Sequence, residues 1–152
     1  MQQRTDAEYL RAVAGVRAII RAARLLERAS GELSIAQYRV LTAVADGEDR
    51  ASRIAARLSL GKPAVSFTVD SLCDRGLLDR EWSDSDQRIS MLRLTKAGDT
   101  ALQIADAAMT FRLEDLVERG RDRDALMDAL VDLGDAIAAR LDEIHPPSKP
   151  GA

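Results

Sequence analysis

Residues 51–98 read ASRIAARLSLGKPAVSFTVDSLCDRGLLDREWSDSDQRISMLRLTKAG, and their hydrophobic period changes partway along. Ile54, Ala55 and Leu58 share one face of a short helix over 52–58, and the polar break Ser59-Leu60-Gly61 follows. Pro63 then stands in the first turn of a second helix, where proline is tolerated best, and Val65, Val69 and Leu72 recur at i, i+4 and i+7. Gly76 ends that helix. From there the period shortens: residues 78–82 and 89–94 are short runs flanking a polar tip, 83–88, as two antiparallel strands and a loop would be. Thr95 is an N-cap for what comes next.

Packing two helices at a steep angle requires a small residue at the crossing, a turn free of bulk, and a branched apolar residue where the second helix rests on the first. Ala55, Ser59 and Val65 take those places, with Ser59 standing where glycine is commoner. Helix, tight turn, helix, strand, loop, strand is the order of a winged helix-turn-helix, and it makes the fold class mainly α (α+β).

Outward from this stretch the chain is helical. Residues 6–29 are rich in Ala, Leu, Ile, Val and Arg, with Leu10, Val13, Ile20 and Ala23 at helical spacing. Arg17, Arg21, Arg24 and Arg28 lie along one side. Gly31 breaks this helix. Ser34 with Gln37 is a capping box that opens another, with Val40, Leu41 and Val44 inward and Asp46-Gly47 as the stop. Beyond Thr95 a helix extends to about Arg119, Gly120 interrupts it, and a last helix over 122–144 carries Leu126, Leu130, Leu133, Ile137, Leu141 and Ile144 in a coiled-coil-like stripe. The tail has three prolines and should be frayed. The expected division is a dimerisation helix in 1–33, a winged helix-turn-helix in 34–98, dimerisation helices in 99–144 and a disordered tail in 145–152.

The 152 residues are 46% hydrophobic and 31% charged, enough for a core without disulfides or a structural metal. One cysteine cannot form an intrachain disulfide. No apolar run approaches the roughly 20 residues that span a bilayer, and residues 1–8 lack the basic-then-apolar order of a secretory signal, so a soluble cytoplasmic protein is expected. The net charge of -3 hides a gradient. Residues 1–49 balance at 0, residues 50–98 hold 9 basic and 6 acidic side chains for +3, and residues 99–152 hold 6 basic and 12 acidic for -6. The basic middle is where a polyanion would be steered. An enzyme is disfavoured, since the chain has neither a cluster of His, Cys, Ser and carboxylates nor a glycine-rich phosphate loop, and no cofactor or metal is expected. His145 lies in the tail and has no expected role. Cys73 reads first as a small packing residue, with an oxidation switch as the alternative.

The order and spacing of Leu33-Ser34-Ile35-Ala36-Gln37-Tyr38-Arg39-Val40-Leu41, Gly76-Leu77-Leu78, Asp86-Gln87-Arg88 and Leu94-Thr95-Lys96-Ala97-Gly98 resemble the multiple-antibiotic-resistance regulator (MarR) family of bacterial transcription factors. The resemblance covers about residues 10–144. It implies a homodimer with intertwined first and last helices, each subunit reading double-stranded DNA at a roughly palindromic operator. It further implies release by a small aromatic or anionic effector bound between the dimer helices and the winged domain, where Tyr38, Arg39 and Trp82 would contribute. Tyr38 and Trp82 read equally well as core aromatics.

A helix entering the major groove N-terminus first makes its contacts from its first two turns, here Lys62, Pro63, Ser66, Phe67 and Thr68. Lys62 suits a phosphate or guanine, Ser66 a base edge or phosphate, and Thr68 a flanking contact. Many family members carry arginine where this chain has Phe67, which either touches a thymine methyl or packs, the commoner fate of phenylalanine. In the wing, Arg88 suits a narrow minor groove, and Asp86 either holds it by a bidentate pair or simply shapes the turn. Arg80, Arg93 and Lys96 are weaker phosphate candidates. Asp128, Asp132, Asp135 and Asp142 on the last helix complement the arginine face of the first, and the apolar faces of both helices call for partners. The competing readings are an architectural or protein-binding dimer without sequence preference, and a regulator that responds to oxidation of Cys73.

Overall fold

The computed structural model describes residues 5–83 and 86–144, with side-chain surroundings for all of these except 82–90. Six helices and one hairpin follow in the order α1 (Asp6–Ala29), α2 (Ile35–Ala45), α3 (Ala51–Arg57), α4 (Lys62–Asp74), β1 (Leu78–Ser83), β2 (Asp86–Leu94), α5 (Lys96–Glu118) and α6 (Arg123–Ile144). The fold is mainly helical with a two-stranded antiparallel sheet, a winged helix-turn-helix carried between long helices.

The helix starts follow local chemistry. Ser34 accepts from the Gln37 N–H while the Gln37 side chain accepts from the Ser34 N–H, which closes the capping box at α2. A second box, Thr5 with Glu8, opens α1. Thr95 caps α5 by accepting from the Gly98 N–H, and its hydroxyl also donates to the Gly76 carbonyl at 2.7 Å, fixing the start of α5 to the end of α4. α3 begins at Ala51, after an Arg50 that caps nothing with its side chain.

The core is built from α2, α3, α4, the hairpin and the first half of α5. Val40, Leu41, Ile54, Val65, Val69 and Leu72 are fully buried there, and Leu33, Leu92, Leu102 and Ala105 complete it. Residue 98 is therefore no boundary to packing, since α5 lends two residues beyond it. The Leu92 N–H donates to the Asp49 carbonyl at 2.8 Å, so the connection between α2 and α3 is stitched to β2.

Two backbone positions carry the geometry. Ser59 sits at φ 52°, in the left-handed region, at the turn between α3 and α4. At Gly98 a Cβ would lie 2.0 Å from the Leu77 carbonyl oxygen, so only glycine lets α5 approach the backbone at the base of the hairpin.

One expectation is corrected. The hairpin pairs Leu78 with Leu94 and Trp82 with Ser90, shifts register between Trp82 and Ser83, and continues to a Ser83–Asp86 pair. Asp86, Gln87 and Arg88 thus belong to β2 rather than to a loop over 83–88. The ladder is held by main-chain hydrogen bonds, which do not require the apolar alternation that side-chain periodicity detects.

These positions make opposite predictions. Ser59→Gly removes a left-handed penalty and should stabilise the fold by about 1 kcal/mol. Gly98→Ala should destabilise it by about 2 to 3 kcal/mol through overpacking against backbone. Chemical denaturation with a common m-value measures both.

Candidate nucleic-acid interface

The first two turns of α4 face outward because the opposite side of the helix is locked down. Val65, Val69 and Leu72 are each 1% exposed or less, and they orient the helix so that Lys62, Pro63, Ser66 and Phe67 project into solvent. Gly61 is the N-cap and brings no capping side chain, and no acidic residue stands in the first turn. The leading N–H groups of α4 and the Lys62 ammonium therefore present one positive end, which suits an anion such as a phosphate. Thr68 is half-buried and its hydroxyl donates to the Ala64 carbonyl at 2.9 Å, so it faces its own helix. Phe67 does not pack: it is 77% exposed.

Ion pairs and hydrogen bonds brace this helix and the one before it. Arg80 on β1 pairs with Asp70 on α4. The Gln37 side-chain amide donates to the Ser71 hydroxyl at 3.3 Å, and Arg75 donates to the Gln37 side-chain Oε1 at 3.0 Å, joining the start of α2 to the end of α4. Arg39 donates to the Leu58 carbonyl at 2.8 Å, at the C-terminus of α3 just before the turn. Arg57 on α3 pairs with Asp46 at 2.6 Å. These links connect residues 10 to 38 positions apart, and no local pattern announces them.

In the hairpin, Arg93 pairs with Glu81 at 2.9 Å, and Arg80 is engaged with Asp70. Lys96 is exposed at the start of α5. Asp86 and Arg88 open β2, and Trp82 lies on β1 opposite Ser90. The side chains of these three lie outside the described residues, so the expected Asp86–Arg88 pair and the Trp82 contact do too. Among the described residues, no group of His, Cys, Asp and Glu is arranged to hold a metal ion, and no helix is long and apolar enough to cross a membrane.

The MarR family model matches residues 32–89, the span from the end of α1 through the hairpin. Over the whole chain, the structure is similar to that of the transcriptional repressor CouR bound to a 23-mer DNA duplex, with 29% identity, a TM-score of 0.74, and 90% of this chain and 99% of that one covered. It is also similar to a MarR-family regulator from Rhodococcus sp. RHA1, at 20% identity, TM-score 0.69 and coverage of 90% and 98%. CouR from Rhodococcus jostii RHA1 bound to p-coumaroyl-CoA matches at 22% identity and TM-score 0.64, covering 99% and 100%. No match is found among curated proteins.

Tyr38 and Arg39 are adjacent on α2 yet serve different neighbours. Arg39 reaches α3, whereas the Tyr38 hydroxyl donates to Asp106 on α5 at 2.6 Å, bridging the helix-turn-helix to the long helix that follows it. Burial, together with the hydrogen bond and the negative charge of Asp106, pushes the Tyr38 pKa up from 10.0 to about 12. Cys73 is half-buried against the core, and that burial pushes its thiol pKa up, which makes the reactive thiolate scarce at neutral pH.

The raised Tyr38 pKa fixes the sign of an alkaline effect. The folded protein holds this proton more tightly than the unfolded chain does, so the contribution is complete below pH 10 and disappears as pH rises from 10 towards 12. Ultraviolet titration should show a phenolate forming at about pH 12, and Tyr38→Phe should remove it together with that part of the alkaline loss of stability.

Proposed function

We propose that this protein is a transcriptional repressor that binds a palindromic operator as a homodimer and leaves it when a small ligand binds. The observation that carries the reading is the outward, acid-free start of α4, held rigidly by a buried opposite face in a segment of the MarR family. The similarity to a transcriptional repressor bound to a DNA duplex supports it. In this reading α4 enters the major groove, with Lys62 on phosphate and Ser66 and Phe67 towards base edges, and Arg88 on the wing enters the minor groove. A regulator of this kind acts in the cytoplasm by binding, without catalysis.

Dimerisation rests on surface. Neither α1 nor α6 buries a single residue. Ile19 and Ile20 on α1, Phe111 on α5 and Val131 and Ile137 on α6 are all more than half exposed, although each helix has an apolar stripe that demands cover. Arg17, Arg21, Arg24 and Arg28 make no ion pair among the described residues, and Asp128, Asp132, Asp135 and Asp142 offer the opposite charge on α6. A second copy would bury the stripes and match the charges. Residues 1–33 and 99–144 are thus the dimerisation regions, and residues 34–98 bind DNA.

The ligand class proposed is a small aromatic or anionic effector; a structural relative is bound to p-coumaroyl-CoA, which joins an aromatic acyl group to an anionic carrier. Tyr38, Arg39 and Trp82 are the side chains proposed near it. Because Tyr38 ties α2 to α5, a ligand that displaces the Tyr38–Asp106 bond would alter the spacing of the two reading helices, provided it binds that spacing more tightly.

Sequencing of genomic fragments retained at near-physiological salt tests the reading. Wild type should enrich a palindrome with half-sites about one helical turn apart, and Arg88→Ala should lose the enrichment. Lys62→Ala should weaken binding to all sequences and lower the salt slope by about 1 per subunit. Fragments with no common sequence would overturn sequence-specific regulation and leave an architectural role.

A further inference from the structure

The outward face of α4 carries an apolar strip that no described residue covers. Phe67 is two residues from both Val65 and Val69, about 200° around the helix from each, which points its ring directly away from the core. At i-4 and i-3 on the same side, Pro63 and Ala64 are also exposed, so the strip is continuous over the first two turns. Lys62 and Ser66, both exposed, flank it, and no acidic side chain stands in the first turn. A large ring held out in water beside a lysine at the positive end of a helix is suited to a surface that is anionic at its edges and apolar at one point.

Resting on the reading of α4 as the helix that enters the major groove, we propose that Phe67 is a specificity-determining residue and that its ring contacts the 5-methyl group of a thymine in each half-site. The chemistry selects this partner. A phenyl ring has no N–H or O–H, so it cannot pair with guanine O6 and N7 or with adenine N6 and N7. Facing those polar edges, it would strip their water and return no hydrogen bond. The apolar group that the major groove does offer is the thymine methyl. The flanking Lys62 and the helix end hold the adjacent phosphates, which sets the ring over the base step rather than beside it. Each half-site therefore presents thymine opposite the second turn of α4, and this position discriminates by burial of a methyl group rather than by hydrogen bonding.

The test uses the full chain and the operator recovered from genomic fragments. Each thymine is replaced singly by uracil, which removes the methyl group and leaves every base-pairing group in place. Binding of wild type and Phe67→Ala is then compared at one salt concentration. Replacement at one position per half-site should weaken wild type about fourfold, the value of one buried methyl, and leave Phe67→Ala unchanged. Phe67→Ala should melt with wild type, since the ring is exposed. Selective binding by wild type that tolerates uracil everywhere overturns the proposal while the operator reading stands. A uracil penalty that persists in Phe67→Ala also overturns it, because another side chain then reads the methyl. If wild type selects no sequence at all, the operator reading fails first.

Discussion

The arrangement depends on the burial of Val65, Val69 and Leu72. Three branched side chains on one face of a 13-residue helix are sealed against α2, α3 and the hairpin, and this fixes the rotation of α4 about its own axis. Rotation is what matters at the other face. With the core stripe sealed, Lys62, Pro63, Ser66 and Phe67 have one outward direction, and a rotated helix would expose valines and bury a lysine at a cost in both terms. The ion pair between Arg80 and Asp70 and the hydrogen bonds of Gln37 with Ser71 and Arg75 act on the C-terminal part of a helix already oriented, while Arg39 ties α2 to the end of α3. Exposed pairs of this kind contribute little energy each, so precision rather than stability is what they add.

The hairpin and the long helices are coupled to that core through a narrow junction. Thr95 caps α5 and bonds to the Gly76 carbonyl, Gly98 lies against the Leu77 backbone, and Tyr38 reaches Asp106. All three contacts join the helix-turn-helix to α5, and α1 and α6 pack on α5 in turn. Any change in the placement of α5 is therefore transmitted to the reading helix by short, stiff links. The exposed stripes of α1 and α6 lie on the far side of this junction, where a second copy would set the distance between two such helices.

Much of this was legible in the chain. The capping box at Ser34 and Gln37, the N-cap at Thr95 and the buried triplet of α4 are local patterns, because a cap or a helical stripe involves residues within one or two turns of each other. Ser59 marked the turn as an unusual place for a side chain, and its positive φ bears this out. The position of Phe67 was not legible: the residue type favours burial, and only the rotation imposed by Val65 and Val69 turns the ring outward. The extent of the hairpin was misjudged for a related reason, since a ladder held by main-chain groups continues through polar residues. The partners of Arg39 and Tyr38 were not legible either: successive helical residues point about 100° apart, and these two bond to different elements.

The sequence by itself determined the elements, their order, the caps and the buried faces, because these follow from local periodicity and from backbone chemistry within a few residues. The tertiary structure alone decided which arginines brace the fold, why Gly98 must lack a side chain, and which face of α4 is left for a partner. Those outcomes depend on distances between segments as much as 68 residues apart, and such distances are set by the packing of one element on another.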